Sequence, residues 1–364
     1  MRVVKLGDVA CESRLKWTKS KQDVPIVGLE HLIPDEIRFD AYDINTDNTF
    51  SKRFVKGQVL FGRRRAYQRK AAIAEFDGIC SGDITVIEAI EGKMVSELLP
   101  FIIQTPVFFD YANRGSAGSL SPRVKWEHLL DYEFELPSLE EQKVLADKLW
   151  AAYRLKEAYK KLLVATDEMV KSQFIEMFGN PVTNTKGWKT AKIKDVAPEM
   201  PSKEQLSGKI WLLNLDMIES NTGRIIEKVY EDVENALSVQ SFDEGNVLFS
   251  KLRPYLNKVV IPDEPGMATT ELVPLRPEPS KLHKVFLSHL LRGNQFVNYA
   301  NDIAGGTKMP RMPLTELRNF DCILPPMDKQ LEFVFIAEQA DKSKFELRKS
   351  IDAIDKVIKS LINN

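Results

Sequence analysis

The chain has 364 residues, of which 43% are apolar and 28% are charged, and its formal net charge is −1. This composition is typical of globular proteins with a sizeable core, and the balanced charge excludes a protein that is basic over its whole surface. The N-terminus lacks an apolar signal stretch and no eighteen apolar residues run uninterrupted, so we expect a cytoplasmic protein without a membrane segment.

Residues 1–137 are predicted to form a module of mixed α and β structure. Short β-rich apolar runs, Val59 to Phe61 and Ile84 to Ile87, alternate with Gly and Asp turn signals. A helical stretch follows from about Val95 to Asn113, and Thr105-Pro106 within it fits an N-cap and a first helical position. Two short helices are therefore expected there.

A long uninterrupted helix is predicted after this module. From Glu140 to Phe178 the sequence has no Gly or Pro, and Gly179-Asn180-Pro181 then provides a helix stop. We assign residues 138–179 to this central spacer helix. One side of the helix carries residues at heptad spacing, and the expected seam residues are Leu155, Tyr159, Leu162, Thr166 and Met169.

The second half of the chain repeats the first after a shift of 188 residues. The shift aligns, without a gap, the string from Gly57 to Tyr67 with the string from Gly245 to Tyr255. The period is several times that of solenoid repeats, so the repeated unit is a whole domain with its connector. We therefore predict a second module at 180–325 and a C-terminal spacer helix at 326–364. The expected seam residues of this second helix are Leu347, Ile351, Ile354, Ile358 and Leu361.

Each predicted spacer helix is apolar on one side and charged on the other, so neither is stable alone in water. The nearest partner for each is the other, and the pairing can be parallel or antiparallel. An antiparallel pair would place the modules at opposite ends and create a pseudo-two-fold axis. At about 1.5 Å per residue, such a helix would be on the order of 55 to 60 Å long and would fix the distance between the modules.

Acidic residues are absent from the same two places in both copies. The segment from Asn48 to Ala74 has eight basic residues and no acidic one. Its equivalent from Gly245 to Pro262 has three basic residues and also no acidic one. A second window without acids runs from Tyr111 to Trp126, and its partner runs from Ile303 to Thr315. Clustered positive charge of this kind is typical of surfaces that contact nucleic acid.

Three repeated motifs resemble those of type I restriction-modification DNA specificity subunits. They are the Gly-x-Val-Leu-Phe-x-(basic)-x-Arg string before a Tyr, a Gly/Ser/Thr-rich segment before Pro-Arg, and a Leu-Pro entry to a long helix that carries a Gln. The last motif occurs twice, at Leu136 to Gln142 and at Leu324 to Gln330. The order module, helix, module, helix is similar too, and the resemblance covers nearly the whole chain.

The resemblance implies an α+β protein with two similar mixed α/β target recognition domains. Two long helices would separate the domains and form a pseudo-two-fold symmetric antiparallel coiled coil. Each domain would read one half of a bipartite double-stranded DNA sequence. The chain itself would be non-catalytic and would assemble with adenine methyltransferase subunits, two of them expected, and with ATP-dependent restriction or translocase subunits. S-adenosylmethionine, ATP and Mg would then be bound by the partners, in an enzyme that methylates DNA and defends against foreign DNA.

Arg can bind guanine O6 and N7 with both arms of its guanidinium, whereas Lys, Ser, Thr and Asn anchor phosphates. In the first module the expected DNA contacts are Arg63, Arg64, Arg65, Tyr67, Gln68, Arg69, Lys70, Ser116, Ser119, Ser121 and Arg123. In the second module they are Lys251, Arg253, Tyr255, Asn257, Lys258, Thr307, Lys308 and Arg311. The alternatives are a solvated basic hairpin and a flexible loop between a helix and a strand.

Signals for catalysis or metal binding are weak. The chain has no phosphate-binding Gly-x-x-x-x-Gly-Lys-[Ser/Thr] loop, and its four histidines lack ligand spacing, so we expect no metal. Asp83 with Glu91 and Lys93 loosely matches the spacing of metal-dependent nucleases, and the motif has no counterpart in the second copy. A nuclease or fused restriction subunit, and a two-module protein-binding adaptor, are the alternative functions. The outer helix faces and the junctions near Gln142 and Gln330 are the expected docking surfaces for a methyltransferase.

Overall fold

In a computed structural model of the chain, the structure is described for residues 2–203, 206–232 and 239–363. The chain divides into two units, one made of Met1–Ala158 with Ser350–Asn364 and the other of Tyr159–Lys349. Each long helix therefore contributes one part to each unit. None of the described helices combines the length and the apolar character that a membrane-spanning segment requires.

The first unit has an antiparallel four-stranded sheet and a three-stranded sheet that combines parallel and antiparallel pairing. Its strands are Arg2–Lys5 (β1), Ala10–Glu12 (β2), Ile26–Val27 (β3), Lys52–Phe54 (β4), Val59–Gly62 (β5), Ala71–Ile73 (β6), Gly78–Cys80 (β7), Ile84–Ala89 (β8), Ser116–Ala117 (β9), Arg123–Val124 (β10) and Glu133–Leu136 (β11). Its helices are Leu6–Val9 (α1), Leu99–Ile103 (α2), Pro106–Arg114 (α3), Trp126–Leu129 (α4) and the first half of Leu139–Phe178 (α5). The strand orders are β2-β8-β5-β6 and β3-β7-β4, and β1-β11 and β9-β10 form separate pairs.

The second unit is also built on two sheets, but here the four-stranded sheet combines parallel and antiparallel pairing and the three-stranded sheet is antiparallel. Its strands are Thr190–Lys192 (β12), Lys209–Leu213 (β13), Val229–Asp232 (β14), Val239–Phe242 (β15), Val247–Ser250 (β16), Val259–Val260 (β17), Gly266–Thr269 (β18), Leu272–Leu275 (β19) and Asp321–Ile323 (β20). Its helices are Ile193–Val196 (α6), Lys284–Arg292 (α7), Asn294–Asp302 (α8), Leu314–Asn319 (α9) and most of Met327–Asn363 (α10). The strand orders are β14-β13-β18-β15, β17-β16-β19 and β12-β20.

The repeated Val-Leu-Phe string is a strand that is buried on both faces. Successive side chains of a strand point to opposite faces. Val59 and Phe61 accordingly join the core cluster formed with α2 and α3, whereas Leu60 joins a second cluster with Phe54. Val247-Leu248-Phe249 divides in the same way between two clusters of the second unit. Truncation of Phe61 to Ala would cost about 3–5 kcal/mol, because the side chain is fully buried.

The helix predictions are confirmed. The stretch after β8 contains two helices, and the Thr105 hydroxyl accepts a hydrogen bond from the Phe108 amide at 3.2 Å, which caps α3. Helix α5 runs for 40 residues and ends before Gly179, which has φ +75°. The long helices run antiparallel within each unit. In the second unit Asp167 pairs with Lys344 at 2.7 Å and the Phe174 and Phe333 rings lie 5.2 Å apart, so rising numbers on one helix meet falling numbers on the other.

The stripe that α5 buries differs from the predicted seam. Leu155, Leu162 and Met169 are 46%, 49% and 50% exposed, and Tyr159 and Thr166 are half-buried. The buried positions are instead Ala146, Leu149, Trp150 and Tyr153 near the start of the helix and Val170, Phe174 and Phe178 near its end. Each set follows the spacing of three or four residues that suits a helix packed on a globular core. Met169 precedes Val170 by one residue, which turns its side chain about 100° away from that core.

In the predicted seam of α10, by contrast, all five residues are half-buried. Ile358 and Leu361 pack against the main core of the first unit, next to Leu145 of α5. The α+β fold with two similar mixed modules and antiparallel helices is thus confirmed. The domain boundaries and the pseudo-two-fold axis stay predictions, and Met1, Glu204, Gln205, residues 233–238 and Asn364 lie outside the described residues.

The repeated glutamine at the start of each long helix is buried. Gln142 is 1% exposed; its side-chain oxygen accepts from the Val95 amide at 2.9 Å and its amide donates to the Pro137 carbonyl at 3.0 Å. The Gln330 side-chain oxygen likewise accepts from the His283 amide and its amide donates to the Pro325 carbonyl, both at 2.9 Å. The two glutamines therefore fasten each helix to its module, and docking at the surfaces near them stays a prediction.

Candidate nucleic acid interface

In both units the basic string after the central strand forms the same unusual turn. A 3₁₀ helix, Ala66–Gln68, is flanked by Arg65 and Arg69, whose φ angles of +53° and +55° are left-handed. At the equivalent positions 188 residues later, Arg253 has φ +50° and Asn257 has φ +48°. A non-glycine residue in this region costs about 1–3 kcal/mol, so the repetition marks a conformation that the surrounding structure imposes. We refer to residues 63–70 and 251–258 as the basic turns.

Each basic turn is joined by backbone hydrogen bonds to a glycine-rich loop, residues 115–123 or 305–311. The Arg65 amide donates to the Pro122 carbonyl at 2.8 Å, and the Arg253 amide donates to the Pro310 carbonyl at 2.7 Å. Gly118 and Gly306 both have positive φ, at +114° and +104°, which lets each loop reverse direction at its tip. The turn and the loop therefore form one surface in each unit.

A carboxylate lies behind each of these surfaces. Arg123 Nε lies 2.6 Å from Asp83 Oδ1, and Arg311 Nη2 lies 3.0 Å from Glu271 Oε1. The Arg123 hydrogen bond lowers the pKa of the Asp83 carboxyl below its usual value of 3.8, despite partial burial. Arg64 also reaches Asp83, at 3.4 Å. Arg123 and Arg311 were predicted to contact DNA, but here their charges are engaged in holding the loop to the sheet.

Asp83 and Glu271 are equivalent residues, although the nuclease-like motif of Asp83 with Glu91 and Lys93 has no counterpart in the second copy. The residues are 188 positions apart, and the main-chain carbonyl of each accepts from the first residue of its basic turn, Arg63 at 2.9 Å and Lys251 at 3.0 Å. Glu91 follows β8 whereas Asp83 precedes it, and six strand residues span about 20 Å. The three residues of the supposed nuclease motif are thus held apart by a rigid strand.

Several other predicted contact residues are engaged within the protein. The ammonium groups of Lys70 and Lys258 donate to the carbonyls of Leu29 and Leu215, at 2.7 and 2.6 Å. Arg69 pairs with Asp35 at 2.8 Å. In the glycine-rich loop of the first unit, the Ser116 hydroxyl donates to the Ala112 carbonyl, and the Ser121 hydroxyl accepts from Arg64.

The prediction that Asn257 contacts DNA is wrong, because the residue is only 5% exposed. Its amide donates to the Arg292 carbonyl at 2.9 Å, while its backbone closes the 3₁₀ helix in the left-handed conformation. Asn tolerates this conformation better than most residues, which explains its presence at this position. The sequence alone does not indicate this buried role, because Asn is also a common phosphate ligand.

The remaining predicted residues have few or no contacts that occupy their side chains within the described part of the protein. Six of them form no side-chain hydrogen bond or ion pair with a described residue. They are Arg63, Tyr67 and Gln68 in the first unit and Lys251, Arg253 and Tyr255 in the second. Tyr67 and Tyr255 occupy equivalent positions on the two 3₁₀ helices and are 57% and 48% exposed. Ser119, Thr307 and Lys308 are exposed on the glycine-rich loops, and among the described residues the Arg65 side chain donates to the Leu120 carbonyl alone, at 3.5 Å.

Among the described residues, one group of three possible metal ligands comes close together, namely Glu30, His31 and Asp43. The His31 Nδ1 atom accepts a hydrogen bond from the Gly28 amide at 2.9 Å, so the ring proton of the neutral form is on Nε2. Nε2 faces Asp43 Oδ1 at 3.7 Å. Since a ligating nitrogen needs a free lone pair, this arrangement favours a polar contact over a metal site.

Comparisons with known proteins place the chain in one family. The family described as type I restriction modification DNA specificity domain matches the chain twice, at residues 1–163 and 185–355. The specificity subunit of the type I restriction enzyme EcoDI from Escherichia coli is 23% identical over 288 residues, which are 67% of this chain but only 64% of that protein. The chain therefore spans less than two thirds of the length of this curated relative.

Two solved structures share the fold. The S subunit of a type I restriction-modification system from M. genitalium has a TM-score of 0.59 at 10% identity, with 99% of this chain and 94% of that chain covered. A chain from a structure of complex assembly and conformational transition of the type I R-M system has a TM-score of 0.56 at 16% identity, with 100% and 96% covered. At these identities the likeness concerns the fold alone.

Proposed function

The chain belongs to the type I restriction modification DNA specificity family, and we propose that it is the DNA-reading subunit of such an enzyme. In this proposal each unit contacts one half of a bipartite double-stranded DNA site through its basic turn and glycine-rich loop. The observation that supports it most is the repetition of the left-handed pair Arg65 and Arg69 as Arg253 and Asn257, with the same loop bonded behind it.

The predicted contact residues that have no internal side-chain partner among the described residues suit the two parts of DNA recognition. Neutralised phosphates supply most of the affinity and make it fall with salt, whereas contacts to base edges supply discrimination. Arg63 and Arg253 have guanidinium groups that are free to form two-armed contacts with guanine. Lys251 and Lys308 are point charges that suit phosphate. Tyr67 and Tyr255 have equivalent positions and we assign them a shared role at the DNA surface.

The differences between the copies support different half-sites. The first turn reads Arg63-Arg64-Arg65 where the second reads Lys251-Leu252-Arg253. The first loop has Ser119-Leu120-Ser121 at its tip where the second has Thr307-Lys308-Met309. The turn and the loop have the same backbone hydrogen bonds in both copies, whereas their exposed side chains differ. The same backbone structure can therefore present two surfaces that recognise different DNA sequences.

We further propose that the chain is non-catalytic and that its partners are two adenine methyltransferase subunits and restriction or translocase subunits. S-adenosylmethionine, ATP and Mg would be bound by those partners, and the complex would act in the cytoplasm. In the second unit, α10 exposes Leu331, Phe335 and Phe345, which are 49%, 63% and 58% exposed. Exposed apolar residues on a charged helix are typical of a protein interface, so we place methyltransferase docking on this face.

The proposal is tested by mapping methylated adenines in DNA exposed to the complex of this chain with its methyltransferase. A split motif is expected. Arg63→Ala should alter recognition in one half of that motif and Arg253→Ala in the other, with the unchanged half as the internal control. If both substitutions altered the same half, the assignment of one unit to one half-site would be wrong. A chain without salt-dependent DNA affinity would instead be an adaptor for proteins.

A further inference from the structure

A second basic segment of the first unit is not part of the basic turn. Between Glu12 and Asp23 the chain has no acidic residue, and Arg14, Lys16, Lys19 and Lys21 all fall in this interval. Lys21 is engaged, because its ammonium donates to the Asn48 carbonyl. The other three are exposed, and within the described part of the chain none of them forms a side-chain hydrogen bond or ion pair. We refer to residues 14–19 as the basic strip.

The basic strip is held as an added edge strand. Lys16 forms an antiparallel bridge with Lys52, the Trp17 amide donates to the Ser51 carbonyl at 2.8 Å, and the Arg53 amide donates to the Leu15 carbonyl at 3.0 Å. Alternate residues of an extended chain point to one side, so Arg14 and Lys16 project together, about 7 Å apart.

Trp17 anchors the other side of the strip. Its indole N–H donates to the Ser20 carbonyl at 2.9 Å, and the Arg53 guanidinium lies 5.9 Å from the ring centre. The strip therefore has little freedom to lose when a ligand binds, which favours affinity.

The basic strip is connected to the basic turn by a short chain of contacts. The Lys52 ammonium donates to the Ile84 carbonyl at 2.7 Å. The preceding residue, Asp83, binds Arg64 and Arg123 through its carboxylate and the Arg63 amide through its carbonyl. Lys52, which is paired with the basic strip, and the basic turn are therefore both bonded to residues at the start of β8.

Two acids near the basic strip are already engaged by other basic residues. Glu12 is paired with Lys52 at 3.3 Å, and Asp83 is shared by two arginines. Arg14, Lys16 and Lys19 have no carboxylate partner among the described residues. A polyanion that already contacts the basic turn is the ligand that such an extension fits.

We propose that the basic strip is a second DNA contact, which binds phosphates flanking the bases read by the basic turn. The inference rests on the proposed function. The strip belongs to the first unit only, since the residues 188 positions later are Ser202, Glu204 and Ser207. The contact with DNA should accordingly extend further on the side of the first half-site than on the side of the second.

The test uses the purified chain and two duplexes several helical turns long, one with the methylated motif and one with its scrambled sequence. The variant Arg14→Gln/Lys16→Gln/Lys19→Gln is compared with the matched control Lys143→Gln/Lys148→Gln/Arg154→Gln. The control removes the same charge from exposed positions of α5 in the same unit. Binding is measured by fluorescence anisotropy over a range of salt concentrations, and circular dichroism checks the fold of each variant.

The strip variant should weaken binding to both duplexes by the same factor. Its plot of log affinity against log salt should become shallower by about 2 to 3, since each lost phosphate contact removes about 0.9. The control should keep the slope of the natural chain. If the natural chain binds in a salt-dependent way and the strip variant behaves like the control, the inference about the strip is overturned and the proposed function is not. Weakening confined to the motif duplex would overturn it too, because it would indicate a base contact. A natural chain without salt-dependent binding would overturn the proposed function instead.

Discussion

Lys156 of α5 and Asp355 of α10 form an ion pair of 2.7 Å in the first unit. The second unit has the same pair with the helices exchanged, since Lys344 of α10 meets Asp167 of α5 at 2.7 Å. Each residue is 188 positions from its equivalent, so both helices supply one lysine and one aspartate. The antiparallel pairing thus carries a repeated polar contact at fixed positions, which selects one register over its neighbours.

Replacement of Lys344 by Met should destabilise the second unit. Its side chain is 5% exposed and binds both Asp167 and Asp341, so two carboxylates would lose their counter-ion. The expected cost is about 2–4 kcal/mol in the free energy of unfolding, measured by urea denaturation. Lys329→Met is the matched control, because its pair with Glu332 is more than half exposed and should contribute little to stability. Equal losses in the two variants would contradict a specific role for the buried pair.

Asp83→Asn should loosen the glycine-rich loop of the first unit. The substitution removes the charge that holds Arg123 and Arg64, so cleavage by trypsin after Arg123 should accelerate and DNA affinity should fall severalfold. Asp83→Glu should restore both properties, because Glu271 already performs this role in the second unit. A variant whose loop cleavage is unchanged would show that the loop does not depend on this ion pair.

The same residue gives a prediction for pH. The folded protein lowers the pKa of the Asp83 carboxyl below 3.8, so the ionised form is the one that stabilises the fold. This contribution is fully present above the unfolded pKa and is lost as the pH falls through the folded pKa. The difference in unfolding free energy between the natural chain and Asp83→Asn should therefore be constant above about pH 5 and shrink in more acidic solution. A difference that grew on acidification would contradict this assignment.

Gln142→Leu should separate the start of α5 from the first module. The Val95 amide and the Pro137 carbonyl would lose their partner in a buried position, which costs about 2–3 kcal/mol. Gln330→Leu should have a similar effect in the second unit, where the same two bonds exist. Thermal unfolding of both variants, with an exposed substitution such as Gln339→Leu as the control, measures the cost.

The parts of this protein that sequence could predict are those that follow from local pattern. The Val-Leu-Phe strands, the Thr105 cap and the end of α5 at Gly179 depend on neighbouring residues, and all were predictable. The α5 seam was not, because its heptad register depends on how the module cores orient each end of the helix. The internal partner of Lys70, the Leu29 carbonyl, lies 41 residues away, so no local pattern could distinguish it from a free lysine.

The tips of the two glycine-rich loops should differ in how they contact DNA. Leu120 is 88% exposed between two serines, and its equivalent in the second loop is Lys308. The apolar group that a base pair presents in the major groove is the thymine methyl, whereas an ammonium pairs with phosphate. Leu120→Ala should therefore change base preference in the first half-site and leave the salt dependence of binding unaltered. Lys308→Gln should weaken binding to every sequence and reduce the salt slope by about 1. Replacement of each thymine of the motif by deoxyuridine gives the direct measurement, since one such replacement should weaken the natural chain and not Leu120→Ala. If no thymine of the first half-site behaved in this way, Leu120 would not be a base contact.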